Sequence, residues 1–217
     1  MMGQPGAEEV VIATRTWLER AVIGLNLCPF AKTVHLHDRI RYFVSDARSP
    51  ARLLEDLMAE LRALDDADPA QCETTLLIHP RVLADFIDYN DFLGQADDAV
   101  SELGLEGVIQ VASFHPRYQF EDAGPDDIGN YTNRSPYPML HLLRESSVER
   151  AVTTYPDATA IYRKNIDTLR RLGHEGWRRL WLTEAPLIAT ARQGFESNPI
   201  NSLTTEDAED AKEKREE

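Results

Sequence analysis

Residues 74–80 read TTLLIHP, an uninterrupted apolar run closed by proline. That is the pattern of a strand covered on both faces. Such strands belong to sheets whose connections are helical crossovers, so the segments on either side decide the fold. Upstream, Leu53, Leu54, Leu57, Leu61 and Leu64 recur at helical spacing behind Ser49-Pro50, a cap and first-turn signal. Earlier still, 39–46 (RIRYFVSD) alternates as a strand, and 8–25 carries a helical stripe from Val10 to Leu25. Downstream, a third helix is expected from Leu83 to Leu103, interrupted near Asn90, and then a third strand over 107–114 (GVIQVASF). Ser135 is expected to cap a helix over 136–154, with helix again over 158–181. The spacing therefore predicts an α/β fold: a small, mostly parallel sheet of about three strands with helices packed on it, plus two C-terminal helices.

The 217 residues carry 23 Lys+Arg and 37 Asp+Glu, a formal charge of −14, and 42% are hydrophobic. That apolar share supports one packed domain, expected over 8–182. Residues 1–7 and the acidic tail 204–217 (TTEDAEDAKEKREE) lack the apolar surface to offset chain entropy and are expected to be disordered. Residues 183–203 are expected to be a loosely packed linker. The acidic balance argues against nucleic acid as a partner. No apolar run approaches the ~20 residues of a membrane span, and Glu8, Glu9 and Arg15 interrupt any signal peptide, so a soluble cytoplasmic protein is expected. Cys28 and Cys72 form neither a disulfide framework nor a zinc knuckle.

Parallel strands end together along one sheet edge, where open α/β sheets bind ligands. Two of the three strands end in His-Pro, at His79-Pro80 and His115-Pro116, and each proline pins its histidine in extended backbone. The two imidazoles are acid–base candidates at that rim; the alternative is that each proline only stops a strand. Cys28, held before Pro29, is a candidate nucleophile, or else a small apolar residue among Leu25, Leu27 and Phe30. Residues 117–135 form a long polar loop rich in aromatics, suited to a lid. Its Arg134, beside Asn133 and Tyr137, is the candidate anion holder, or else pairs with Asp126 or Asp127. Arg144 lies near the apolar face of the expected 136–154 helix and would assist, and Asn90 interrupts the third helix. His141, brought beside the other two, would complete a His79–His115–His141 set for a divalent metal such as zinc, although no HExxH or cysteine pair supports it. His35 and His37 share a face if extended, a weak ligand signal. No GxGxxG, P-loop or GxSxG is present.

Five blocks, NLCPFAK (26–32), TTLLIHP (74–80), DYNDFL (88–93), VIQVASFHPRYQF (108–120) and NYTNRSPYPMLHLLRE (130–145), resemble a bacterial family of unknown function, DUF1415. The resemblance runs from about residue 12 to 181 and implies no activity and no catalytic residue. The blocks that mark it contain Cys28, His79, Asn90, His115, Arg134 and His141, and exclude His35 and His37.

Three functions follow as expectations. The first is an enzyme of hydrolysis or group transfer on a small anionic metabolite, using His79 and His115, Cys28 or a metal-bound water, and Arg134 with Arg144. The second is a module that binds a metabolite or metal without turnover. The third is a protein-interaction domain that uses its acidic tail on a partner the sequence does not identify.

Overall fold

The computed structural model describes residues 5–154 and 158–182. The elements are α1 (Ala7–Trp17), α2 (Ala31–Leu36), β1 (Ile40–Val44), α3 (Pro50–Asp66), β2 (Thr74–Ile78), α4 (Phe86–Glu102), β3 (Ile109–Phe114), β4 (Met139–Arg144), α5 (Glu145–Thr154) and α6 (Ala158–Arg179). The chain is of mixed α/β type. The expectations for the linker 183–203 and the tail 204–217 lie outside the described residues, as do the first four residues of the expected disordered N-terminus.

The sheet has four strands in the order β1-β2-β4-β3. β1 and β2 pair in parallel, whereas β4 lies antiparallel between β2 and β3. The three expected strands therefore do point the same way, but a fourth, reversed strand separates the last two. This corrects the expected helix over 136–154, whose first half is β4. The run MLHLLR is six residues of apolar character, too short for helical and strand periods to be told apart. Pro136 and Pro138 just ahead of it remove two backbone donors and favour extended chain. Only after Arg144 does the helix begin, as α5.

Alternation along the strands sorts side chains onto two faces. One face packs Leu77, Leu140, Leu142 and Ile109 against Leu53, Leu57, Leu61 and Leu64 of α3 and Tyr89, Phe92 and Ala96 of α4. The other packs Leu76, Ile78 and Met139 against Val10, Trp17 and Leu18 and against Leu169 and Trp177 of α6. Leu53, Leu57, Leu61 and Leu64 are each 0% exposed, and Ser49 accepts from Arg52 N–H ahead of Pro50, so the leucine stripe and its start signal were legible. α4 departs from expectation: it runs unbroken through Asn90 from an Asp85 cap, whose side chain accepts from Ile87 N–H.

The segment after α1 also departs from a plain helix. Leu18–Ile23 winds as a π-helix, and Gly24 N–H donates to the carbonyl of Glu19, five residues back, at 2.9 Å. A Cβ on Gly24 would sit 2.3 Å from the Arg20 carbonyl oxygen, so the wide turn needs glycine there. Single π-turns within helices concentrate at functional sites. This one carries Glu19, which is nearly buried and lies 3.2 Å from the buried His35 of α2.

Candidate functional site

The parallel strands β1, β2 and β3 end at one edge, as the sequence suggested. Ser45 N–H donates to the Ile78 carbonyl at 2.8 Å, which seats Ser45 alongside His79. His79 and His115 both face α4, where the Tyr89 ring lies 5.8 Å from the first and 5.0 Å from the second. Both histidines are 0% exposed. The geometry brings the two together around a tyrosine and closes them from solvent.

Hydrogen bonds assign the protons. His115 Nε2 lies 3.2 Å from the Leu83 carbonyl, which can only accept, and its Nδ1 accepts from Arg117 N–H at 3.0 Å. Both ring nitrogens are satisfied and the ring is neutral, its pKa lowered chiefly by burial. His79 donates from Nδ1 to the Val82 carbonyl at 3.1 Å, and its buried Nε2 has no partner among the described residues. Burial pushes His79 down to about 4, and the neighbouring His115 pushes the same way. Next to it, Ser45 donates to Asp56 at 2.6 Å and accepts from Ala47 N–H, while Arg52 pairs with the same carboxylate at 2.8 Å. That network ties the β1–α3 turn down.

His141 does not join the pair. It points to the opposite face, as the alternation of β4 requires, and packs 6.1 Å from Phe114. The Thr74 hydroxyl donates to the Leu142 carbonyl at 2.5 Å, so its oxygen accepts from His141 Nε2–H at 2.7 Å. Burial lowers His141 to about 4. Among the described residues no three His, Cys, Asp or Glu side chains are grouped to hold a metal ion. Cys28 sits in the turn ahead of α2, with Leu27 and Ala31 packing into the core on the face away from His79 and His115.

The other residues are placed as follows. Arg134 donates to the carbonyls of Tyr118 and Pro125 at 3.1 and 2.7 Å and lies 4.4 Å over the Tyr131 ring. It orders the loop through backbone carbonyls instead of through Asp126 or Asp127. Asn133 donates to the Ser113 carbonyl at 3.1 Å, fastening the loop to β3. Tyr137 packs against the α1 side of the core, and Ser135 donates to its carbonyl instead of capping a helix. Arg144 is buried and donates to the carbonyls of Leu64 and Ala67, closing the C-terminal end of α3. Asn90 is exposed on α4.

An opening occurs elsewhere. A cleft of about 330 Å³ lies between the loop and α6, lined by Phe120, Glu121, Asp122 and Asp127 on one side and Tyr162, Ile166 and Arg170 on the other. A run of ring contacts leads from it to the rim: Tyr162 to Phe120, Phe120 to Tyr118, Tyr118 to Phe86, and Phe86 to His115, each centroid pair 5.0–5.9 Å apart. The loop's length and aromatics flagged one wall in the sequence. The other wall, at positions 162, 166 and 170 of one helical face, is set only by how α6 docks.

A model for a protein family of unknown function, DUF1415, matches residues 9–179. The chain belongs to the DUF1415 family. No curated protein matches this DUF1415 chain. No solved structure matches it either. The DUF1415 stretch runs from within α1 to the end of α6 and contains both walls of the cleft and both rim histidines. Among the described residues no helix is long and apolar enough to cross a membrane.

Proposed function

We propose that this DUF1415 protein binds a small metabolite in the cleft between the 117–135 loop and α6. The observation that carries this is the cleft itself: it reaches the size at which ligand pockets begin, about 300 Å³. It joins an aromatic wall to side chains of both charges, as small-ligand sites do. His115, buried and neutral, supports the loop that forms one wall: its Nδ1 accepts from Arg117 N–H and its backbone N–H donates to the Asn133 carbonyl. The test is a fragment screen followed by amide and methyl NMR. Ala123, Gly129 and Ile166 all line the cleft, so binding there shifts them; hits that leave these three unmoved contradict the proposal.

A second reading keeps the enzyme. The unpartnered Nε2 of His79, beside Ser45 and with its ring stacked on Tyr89, is what favours it. On that reading the loop lifts when substrate binds and the imidazole becomes a base. Ligand-induced loss of hydrogen-exchange protection at 115–120 supports it. Increased protection there counts against it.

A further inference from the structure

The charges in the cleft are arranged across it. Glu121, Asp122 and Asp127 stand on the loop, and Arg170 stands on α6, with Tyr162 and Ile166 on the same helical face. Arg170 forms no ion pair with any carboxylate among the described residues, although three carboxylates line the same cleft. One oxygen of Asp127 accepts from Gly129 N–H at 2.7 Å, and its other oxygen is not used in that turn. The same cleft is lined by the Phe120 and Tyr162 rings, 5.9 Å apart and edge to face, and by the aliphatic Ile166. Opposite charges that share a cleft without touching leave room for a guest that completes both.

Resting on the cleft as the ligand site, we infer that its ligand is a zwitterion with an additional cationic group, of the basic α-amino acid class. The carboxylate of such a ligand pairs with the planar fork of Arg170. Its cationic nitrogens face the three carboxylates. Its methylene chain lies along Ile166 and the aromatic edges, where a passing cation also gains from the ring faces. A plain dianion meets three carboxylates and one guanidinium, and a plain diamine leaves Arg170 unanswered; both lose part of the complementarity. This differs from the anionic metabolite expected from the sequence, because Arg134 and Arg144, the guanidinia invoked for it, are spent on backbone carbonyls.

The experiment titrates the full chain with L-arginine, with agmatine (the same molecule without its carboxylate) and with citrate, read by NMR and by calorimetry. The expected result is that L-arginine shifts Ala123, Gly129 and Ile166 and binds at least tenfold tighter than agmatine. In the Arg170→Gln variant that preference disappears, while the exposed position leaves the unliganded melting temperature unchanged. Binding of citrate but not L-arginine at these three residues overturns the ligand class and leaves the cleft as the ligand site. No shift at these residues with any of the three probes, and none in the fragment screen, overturns both. Agmatine binding as tightly as L-arginine removes Arg170 from the site.

Discussion

Tyr89 donates its phenolic hydrogen to the Met139 carbonyl at 2.9 Å and accepts the Phe114 N–H at 3.0 Å, so a side chain from α4 closes the β3–β4 ladder where its last residues pair. The ring that does this also stands between His79 and His115. One fully buried residue thus couples the sheet edge, the helix and the two histidines. Tyr89→Phe keeps the ring and removes the hydroxyl, leaving a buried N–H and carbonyl short of a partner. It should cost about 1–3 kcal/mol in urea unfolding. A loss below a few tenths of a kcal/mol would show that the two backbone groups re-pair without the phenol.

Arg144 reads in the sequence as a surplus charge near an apolar face, and in the fold it ends α3. Arg144→Met should destabilise by about 2–4 kcal/mol, since buried carbonyls at the end of α3 lose a charged donor. Ligand affinity at the cleft should stay within twofold. Unfolding and titration on the same variant separate the two; a variant of unchanged stability but weakened binding would return Arg144 to an anion site.

Acid should weaken the fold through the buried imidazoles. His79 titrates near 4 when folded and near 6.5 when free, so between those values the unfolded chain binds the extra proton. The stabilisation from its neutral state is complete above about pH 6.5 and is lost as pH falls toward 4, at up to about 1.4 kcal/mol per pH unit. His115 shifts in the same direction. His79→Asn retains a donor for the Val82 carbonyl and removes the titration. Unfolding curves at pH 7.5 and 5 should therefore differ less for the variant than for the parent; equal differences would assign the acid sensitivity elsewhere.

Two glycines give opposite outcomes. Gly24→Ala drives a Cβ into the Arg20 carbonyl and should cost more than about 2 kcal/mol, with the π-turn and the Glu19–His35 contact disturbed. Gly94→Ala, exposed within α4 with nothing within 4 Å of the new methyl, should add about 0.5–1 kcal/mol. Thermal unfolding of both variants checks the sign of each.

Legibility in the sequence followed the range of the forces. The leucine stripe of α3 with its Ser49-Pro50 start, and β2 with its proline stop, depend on local patterns and could be read directly. β4 could not, because MLHLLR suits either period and only its neighbours Leu76–Ile78 and Ala112–Phe114 select the strand. The partners of Arg144 lie about 80 positions away, at Leu64 and Ala67, and no spacing rule reaches them. His79 and His115 were found because proline marks strand ends. Their closure from solvent was not, because the rings packed on them, Phe86 and Tyr89, come from α4.

The most direct measurement maps ligand contacts on the isotope-labelled full chain over a fragment set that includes L-arginine. Shifts are expected to concentrate at Ala123, Gly129 and Ile166, with Ser45, His79 and Val82 unmoved. Shifts centred on Ser45, His79 and Val82, with the cleft silent, would rule out the cleft as the ligand site.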